Sequence, residues 1–406
     1  MASRLFYGWI VVGAAFVLML LSYGTAYSFA AFFASLQKEF NASRGDISLV
    51  FSLSGFLYFS LGAVSGRIAD RIGPRIVCIF GMLLIGVGLL LAARAQSLLQ
   101  VYLSYGAAVG LGIGFAYVPA IGAVQRWFVR RRGFASGLAV AGIGVGNLVM
   151  PPLAEIMIGR VGWRETYSIL GIVIAVFGIG AALLIEQSPA RRGLNPDGDA
   201  SPSAAAANHA ASGATVGEAL RSRVFWLIYI ASGLSGFALF VPFVHLAAYA
   251  RDHGLSESTG VQLFGLIGAG SVAGRFLLGS LADRFGRRRS YLAMFLGMMI
   301  MDLWWLGASG PIGLAIFALA FGMFYGGFVA LAPALTGDYF GARNVSAIIG
   351  LLYTSVSFGT LFGPWTAGIA FDLTQSYTLP ILAGAAVNLC AVACMALVPD
   401  PKTAKG

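Results

Sequence analysis

The sequence predicts an all-α integral membrane protein whose twelve transmembrane helices form two pseudo-symmetric six-helix bundles. Three observations support this prediction: the composition, the number of long apolar runs, and an internal repeat. Of the 406 residues, 58% are hydrophobic and only 10% are charged, and the mean hydropathy is +0.84. A soluble protein of this composition would expose far too much apolar surface to water.

Long apolar runs recur about twelve times along the chain. A helix needs roughly 20 predominantly apolar residues to cross the hydrocarbon core of a bilayer, so each run is a predicted crossing. The predicted spans are 6–33, 46–69, 76–93, 98–124, 133–158, 164–186, 224–250, 258–282, 290–308, 311–336, 345–371 and 377–398. The first run is too long for the core of a signal peptide, which predicts a retained helix.

The internal repeat is carried by two similar charged strings, GRIADRIGPR at 66–75 and GSLADRFGRR at 279–288. Other landmarks keep nearly the same offset along the chain. The aligned pairs are Asp70 with Asp283, Arg71 with Arg284, Gly73 with Gly286, Pro119 with Pro333, and Pro151 with Pro364. A fixed offset over half the length indicates that the membrane domain was built twice, and parallel repeats of this size are typical of transporters.

A polar stretch divides the two repeats. Residues 187–222 are rich in Ala, Ser, Gly and Pro and show no periodicity, which predicts a linker. The predicted domains are therefore a first six-helix bundle at 1–186, a cytoplasmic linker at 187–222, and a second six-helix bundle at 223–406.

The distribution of positive charge predicts the orientation. Most of the 26 Lys and Arg residues lie in the loops on the side of both termini, and the positive-inside rule then makes both termini cytoplasmic. The net charge of +10 is explained by arginines that face anionic lipid headgroups, so no nucleic-acid partner is expected. We expect a multi-pass plasma-membrane protein, specifically of a bacterial inner membrane, that acts as a monomer.

The sequence shows no pattern typical of an enzyme or a cofactor site. No nucleophile–His–acid set, metal-ligand spacing or phosphate-binding loop is present in it. The three cysteines fall in apolar runs, and the clustered glycines are better explained by close helix packing than by nucleotide binding. We expect no cofactor, no metal and no enzymatic activity.

The repeated charged string also carries a resemblance. Gly66-x-x-x-Asp70-Arg71-x-Gly73-x-Arg75 and its copy resemble the signature loop of the major facilitator superfamily, which lies between helices 2 and 3 and again between helices 8 and 9. The resemblance implies that the aspartates cap a neighbouring helix and pair with arginines at a cytoplasmic gate. The implied gate residues are Asp70, Arg71, Asp283, Arg284 and Arg131. The two glycines, Gly73 and Gly286, would allow the turn.

A second resemblance narrows the family. The segment from Trp127-Phe-Val-Arg130 to Gly146 is similar to the helix 4–5 signature of the monocarboxylate porters and of their relatives, the organic-anion exchangers of oxalate/formate type. The Tyr7-Gly8-Trp9 opening is similar to the start of helix 1 in the same group. The resemblance implies the major facilitator fold and transport of organic anions.

One charged residue lies deep in a predicted span. Arg275 precedes Asp283 by eight residues, or about 12 Å along a helix, and an Arg at this depth costs about 2.5–3.5 kcal/mol. A guanidinium matches the geometry of a carboxylate, so we expect an anionic substrate. The resemblance implies the same role, since the family's substrate-binding Arg occupies this helix position. The alternative is that Arg275 extends to the membrane interface.

The count of buried positive charges limits the valence of the substrate. The predicted span 345–371 contains no Lys or Arg, whereas family members that exchange oxalate have a second basic residue there. One cation matches one carboxylate, which favours lactate- or pyruvate-like monoacids. Two positions depart from the animal monocarboxylate porters: Ser271 stands where they have Asp, and Ala31 where they have Lys. Any proton coupling must therefore use other groups.

Helix 7 offers candidates for that coupling. His245, Tyr249 and Asp252 share one helical face, and we expect Asp252 and His245 to carry the proton, with His245 also lining the cavity. The alternative for Asp252 is an ordinary carboxylate of an outer loop. Asp302 precedes two tryptophans, so we expect it at the membrane interface.

The remaining cavity is expected from helices 1, 4, 7 and 10. Tyr23, Tyr27, Tyr117 and Tyr325 would supply apolar walls with hydroxyl donors. The sequence therefore predicts a secondary transporter of small monocarboxylates, by proton symport and alternating access. The alternative is an organic-anion exchanger of oxalate/formate type; a membrane receptor or a membrane enzyme is less favoured.

Overall fold

The computed structural model describes residues 6–128, 131–198, 213–341 and 344–400, except the side chains of Ala63, Arg132, Glu257, Ser280, Asp283 and Ser346. Within these ranges the regular structure is helical, apart from one isolated bridge between Gly213 and Gly341. The membrane helices are α1 Tyr7–Phe40, α2 Arg44–Ile72, α3 Pro74–Ala93, α4 Leu98–Trp127, α5 132–161, α6 163–184, α7 Arg223–Asp252, α8 Glu257–Phe285, α9 Arg287–Gly307, α10 Pro311–Phe340, α11 Val345–Thr374 and α12 Thr378–Ala396.

The predicted number of crossings is confirmed. Eleven helices among the described residues are long and apolar enough to cross a membrane. One of them, Arg132–Leu184, has 53 residues and is interrupted at Gly162, whose φ of 82° and ψ of 165° are not helical. It therefore makes two crossings, α5 and α6, and the total is twelve.

Three helices differ in detail from the sequence prediction. Helix α1 continues through a polar segment to Phe40, seven residues past the predicted end at 33. Helix α7 is divided at Phe240, just before Pro242, because proline has no N–H to give to the helix and its ring crowds the preceding turn. Helix α4 contains a π-helical segment, Tyr102–Val109. The hydropathy of a segment indicates that the segment crosses the membrane. It does not reveal a break in a helix or a change in helical pitch.

Two glycines form the tight turns of the repeated charged strings. Gly73 joins α2 to α3 with a φ of 95°, and Gly286 joins α8 to α9 with a φ of 91°. This backbone conformation is costly for a residue with a side chain. The expectation that these glycines allow the turn is confirmed.

The helices alternate in direction, so the loops fall on two faces. We call the face at which α1 begins and α12 ends the terminal face, and the other the opposite face. We call α1–α6 the N-lobe and α7–α12 the C-lobe. The linker between them contains a short helix, Val216–Arg221, and its residues 199–212 lie outside the described ranges. The domain boundaries at 186 and 222 stay predictions.

The lobes meet along two pairs of helices: α2 packs against α11, and α5 packs against α8. The second and fifth helices of each repeat thus exchange partners across the boundary. The backbones approach closely, since a Cβ on Gly268 would lie 2.7 Å from the Leu148 backbone nitrogen, and one on Gly368 would lie 2.7 Å from the Gly45 Cα. Small residues that allow such contact are typical of helix interfaces in membranes.

Candidate functional site

A central cavity lies between the lobes at mid-depth. Its volume is about 480 Å³, and its walls come from α1, α2, α4, α5, α7, α10 and α11. The lining residues are Tyr23, Tyr27, Phe59, Tyr117, Ile143, Leu239, Phe240, Tyr325, Phe328, Val329, Tyr353 and Val356. Helices α1, α4, α7 and α10 all contribute lining residues, as expected. Four further aromatic lining residues were not expected from the sequence.

The four tyrosines selected from the sequence come together at this cavity. The hydroxyls of Tyr27 and Tyr325 lie 2.9 Å apart and link the two lobes. The ring of Tyr23 meets the ring of Tyr117 edge-on, with centroids 5.4 Å apart. The hydroxyls of Tyr117 and Tyr353 interact electrostatically.

Arg275 reaches the lobe boundary from α8. Its Nη1 donates to the backbone carbonyl of Val140 on α5 over 3.0 Å. Its Nε and Nη2 are buried, and neither has a hydrogen-bond partner among the described residues. The guanidinium interacts electrostatically with the hydroxyls of Tyr117 and Tyr325, two residues of the cavity wall. The alternative expectation, an Arg275 that extends to the membrane interface, does not fit this position.

A glycine on α5 makes room for this guanidinium. A Cβ on Gly144 would lie 3.3 Å from Arg275 Nη1 and 2.4 Å from Val272 Cγ2. A side chain at position 144 would crowd both Arg275 and Val272, so the glycine leaves room for the bond to the α5 backbone. This constraint has no signature in the sequence, where Gly144 is one of a cluster of glycines.

Several wall residues were not singled out from the sequence: Phe59, Phe240, Phe328 and Tyr353. Phe240 faces the cavity because α7 breaks at this residue. The other three lie on long helices in which aromatic residues are frequent; the sequence contains 30 Phe and 15 Tyr. Composition alone cannot separate a cavity wall from a packing or lipid-facing ring.

His245 and Asp252 lie apart from the central cavity, in an interface near the opposite face. We call the cluster of Arg44, His245, Asp252, Asp372 and Tyr377 the opposite-face network. His245 is fully buried, and its Nε2 lies 2.8 Å from the Pro364 carbonyl oxygen. It does not line the cavity described above, contrary to expectation, because its ring nitrogens face Ser48, Tyr377 and the Pro364 carbonyl.

Arg44 is the centre of this network. Its guanidinium donates to both carboxylate oxygens of Asp252, over 2.7 and 2.6 Å, and to the Tyr377 hydroxyl over 2.7 Å. It also stacks on the Phe371 ring, with 3.8 Å from Cζ to the centroid. Tyr377 continues the chain to His245 Nδ1 at 3.0 Å. Asp252 and His245 are thus joined through Arg44 and Tyr377.

A second carboxylate crosses the boundary beside this pair. Asp372 on α11 accepts the backbone N–H groups of Arg44 and Gly45 over 3.0 and 2.9 Å. These are the first residues of α2, so a C-lobe carboxylate satisfies the N-terminus of an N-lobe helix, where negative charge is favourable. Tyr249, the third member of the predicted stripe, instead donates to the Ala308 carbonyl within its own lobe over 3.0 Å.

The expected gate residues lie at the terminal face. Asp70 forms an ion pair with Arg126 at the end of α4, within the N-lobe. The side chains of Arg71 and Arg284 are exposed, and the Arg131 backbone N–H approaches Asp197 Oδ1 at 3.4 Å. The Asp283 side chain lies outside the described part of the chain. The gating role of these residues stays a prediction.

The expectation for Asp302 was wrong. Its side chain is buried between α9 and α12, with an exposed fraction of only 3%, and it accepts a hydrogen bond of 2.8 Å from the Asn388 amide. The two tryptophans that suggested a membrane interface differ in exposure, since Trp304 is exposed and Trp305 is buried. Asp302 lies on the Trp305 side of the helix, inside the C-lobe.

The chain matches the family model of the Major Facilitator Superfamily over residues 15–284 and 263–406. It is 30% identical to human monocarboxylate transporter 11, covering 93% of this chain and 79% of that protein, and 29% identical to human monocarboxylate transporter 2, covering 91% and 81%. It is 28% identical to rat (Rattus norvegicus) monocarboxylate transporter 3, covering 98% and 84%.

A solved structure shares the fold. The bacterial homolog of the human lysosomal transporter Spinster, in an inward-facing and unoccupied conformation, matches with a TM-score of 0.70 over 98% of this chain and 95% of that one, at 16% identity. With the family match and the twelve crossings, the conclusion is that this chain is a multi-pass membrane protein that belongs to the Major Facilitator Superfamily and is related to its monocarboxylate transporters.

Proposed function

We propose that this chain transports small monocarboxylates across its membrane. One observation carries the proposal: the Nε and Nη2 groups of Arg275 are buried without a protein partner among the described residues, in a guanidinium that interacts electrostatically with the cavity residues Tyr117 and Tyr325. These two N–H groups lie on one edge of the guanidinium, and together they match the two oxygens of one carboxylate. Keeping them unpaired costs free energy, which a bound anion would offset.

The hydrogen bond from Arg275 to Val140 links substrate binding to the two lobes. Nη1 reaches across the boundary to the N-lobe, so a carboxylate on the remaining edge would be held where both lobes meet. The opposite-face network closes one side of this site in the conformation described. Rocking of the lobes about Arg275 would break that network and expose the site to the other side, which is alternating access.

Proton symport is the form of coupling that fits a single anion. Import of a bare anion against an inside-negative potential of 100 mV costs about 2.3 kcal/mol, and a proton that moves with it cancels the charge. Each pH unit then adds about 1.4 kcal/mol of driving force. We assign the proton to Asp252 and His245: protonation of Asp252 abolishes its ion pair with Arg44, so proton binding would accompany opening of the opposite face.

The orientation follows from the charge bias. With the terminal face cytoplasmic, most Lys and Arg residues lie on the inner side. The opposite-face network then closes the outer side, and the conformation described is closed to the outside. We place the protein in a plasma membrane, specifically a bacterial inner membrane, as a monomer.

Uptake into proteoliposomes tests the proposal. Lactate, pyruvate, formate and oxalate would be offered with and without an imposed pH difference. We expect uptake of the monoacids, about tenfold greater accumulation per unit of inward pH difference, and no uptake of oxalate. Counterflow of oxalate or formate that ignores the pH difference would instead show an organic-anion exchanger.

A further inference from the structure

Asn147 lies in the middle of α5, where its amide is buried without a hydrogen-bond partner. Its exposed fraction is 1%, and neither Oδ1 nor Nδ2 has a partner among the described residues. A side-chain amide offers one acceptor atom and an NH₂ group with two donors, and burying it unpaired costs free energy. An unpaired amide inside a membrane-spanning helix therefore calls for a functional explanation.

The Asn147 side chain lies on the inward side of α5. The residues of this helix with exposed side chains include Leu138, Val149 and Ile156. At 3.6 residues per turn, Asn147 points roughly 160–180° away from each of them. Ile143, one turn earlier on the same side of the helix, belongs to the wall of the central cavity. Asn147 thus faces away from lipid and lies one turn from the cavity wall.

The adjoining turn of α5 is the one that contacts Arg275. A Cβ on Gly144 would lie 3.3 Å from Arg275 Nη1, which donates to the Val140 carbonyl. Asn147 follows Gly144 by three residues, or about 4.5 Å along the helix axis. Because Cα–Cβ bonds in a helix tilt towards its N-terminus, the Asn147 side chain leans over the turn that contains Gly144. The unpaired amide and the guanidinium therefore lie within about one turn of each other.

Helix α8 packs closely against α5 at this level. A Cβ on Gly268 would lie 2.9 Å from the backbone carbonyl carbon of Asn147. Ser271, one turn before Arg275 on α8, is fully buried, and its hydroxyl has no partner among the described residues. Unpaired polar groups from Asn147, Ser271 and Arg275 thus concentrate along two helices that meet at the lobe boundary. This interface can supply a ligand with hydrogen bonds beyond those of the guanidinium.

We propose that Asn147 binds the oxygen on C2 of a 2-hydroxy or 2-oxo monocarboxylate whose carboxylate binds Arg275. The inference rests on the proposed function, because it uses the same carboxylate anchor. It adds a residue that determines selectivity: Arg275 alone would accept any monocarboxylate, whereas Asn147 favours acids with an oxygen on the carbon next to the carboxylate. The Nδ2 group can donate to a hydroxyl or to an oxo oxygen, so lactate and pyruvate would both gain this bond and propanoate would not.

Three acids with the same number of carbon atoms test the inference: propanoate, lactate and pyruvate. Their affinities for the purified full-length protein would be measured by isothermal titration, with each enantiomer of lactate, and their uptake would be measured in proteoliposomes. We expect pyruvate and the better-bound enantiomer of lactate to bind about tenfold tighter than propanoate, since one net hydrogen bond is worth up to about tenfold in affinity.

Two variants assign this preference to Asn147. Asn147→Leu replaces the amide with an apolar side chain of similar size, and Asn147→Ala removes it. Both should weaken lactate and pyruvate binding about tenfold and leave propanoate binding within about twofold of wild type. Asn147→Leu should not lower the thermal unfolding midpoint of the ligand-free protein, since it removes an unpaired buried amide. Val149→Leu is the matched control, because Val149 has an exposed fraction of 46% on the other side of α5.

The outcomes separate this inference from the proposed function. If the three acids bind and are transported equally well, the inference is overturned and the proposed function stands. A preference that is the same in Asn147→Leu, Asn147→Ala and wild type would overturn the assignment to Asn147. An equal loss of all three acids in both variants, with a lower unfolding midpoint, would show a structural role for Asn147 and contradict the inference. If the folded wild-type protein binds none of the acids, both are overturned.

Discussion

Two arginines lie at the boundary between the lobes, and their guanidinium groups are in contrasting environments. Arg44, near the opposite face, donates to both oxygens of Asp252 and to Tyr377, and it stacks on Phe371. Arg275, beside the central cavity, makes one hydrogen bond, to a backbone carbonyl, and its Nε and Nη2 have no partner among the described residues. The same side chain thus makes three hydrogen bonds in one place and one in the other.

We interpret Arg44 as part of an ion pair that holds the lobes together and Arg275 as a ligand-binding residue. A charge at the lobe boundary is stable when its hydrogen bonds are made within the protein, as with Arg44, and it then holds the lobes together. A charge whose donors stay unpaired is costly, and under the proposed function a bound anion would supply the partner that Arg275 lacks. The repeat supports this distinction, because the position that aligns with Arg275 in the N-lobe is Gly62.

The largest effect is expected for Arg275. Arg275→Ala and Arg275→Lys should each reduce monocarboxylate uptake about 30-fold or more, since loss of one partner of a buried charged hydrogen bond costs at least about 2 kcal/mol. Lysine keeps the charge but cannot present two parallel N–H groups. Uptake into proteoliposomes measures the effect, with the exposed Arg67→Lys as the control. Normal uptake by either Arg275 variant would refute the anchor.

A second comparison separates the two ends of the Arg44–Asp252 pair. Arg44→Gln and Asp252→Asn both remove the ion pair, but only Asp252→Asn removes a carboxylate that can carry a proton. We expect uptake by Asp252→Asn to lose its dependence on external pH, up to about tenfold per pH unit, and Arg44→Gln to keep it. An unchanged pH dependence in Asp252→Asn would exclude it as the proton carrier.

Loss of the ion pair between Arg44 and Asp252 should also open the opposite face. Ser48 is fully buried near His245, at 3.2 Å from its Nε2. With the three native cysteines replaced by serine, Ser48→Cys should react with a polar thiol reagent about tenfold faster when Arg44→Gln is added, because charged hydrogen bonds of about 1.5–3 kcal/mol are lost. The matched control adds Arg67→Gln. Equal labelling rates in the two backgrounds would show that Arg44 does not hold this face closed.

The smallest effect on transport is expected inside the C-lobe. Asp302→Leu removes the acceptor of the Asn388 amide and leaves that buried amide unpaired, at a cost of about 1–3 kcal/mol. The thermal unfolding midpoint of the detergent-solubilised protein should fall, while the KM for a monocarboxylate stays unchanged. A raised KM with an unchanged midpoint would connect Asp302 to the substrate path and remove the contrast with Arg275.

The sequence predicts the architecture better than it predicts the site. Twelve crossings follow from hydropathy, and the turns at Gly73 and Gly286 follow from the repeated strings, because both depend on local composition. Arg275 is recognisable because a charge within a long apolar helix is rare. The position of His245 is not, since its partners Ser48, Pro364 and Tyr377 come from distant parts of the chain.

Contacts across the boundary are the other part that the sequence does not predict. Arg44 is the first residue of α2 and resembles any interfacial arginine, and its partners Asp252 and Tyr377 are more than 200 residues away. Gly144 is similarly indistinct among its neighbouring glycines. Such residues acquire their roles from the approach of two helices that the chain order leaves far apart.

The most direct test of the central claim is the binding of one monocarboxylate to two matched variants. Isothermal titration of lactate into purified Arg275→Gln and Arg44→Gln compares the arginine that has unpaired N–H groups with the arginine of the ion pair. The account predicts no measurable binding to Arg275→Gln and binding close to that of wild type for Arg44→Gln. Binding that survives in Arg275→Gln and is lost in Arg44→Gln would contradict it.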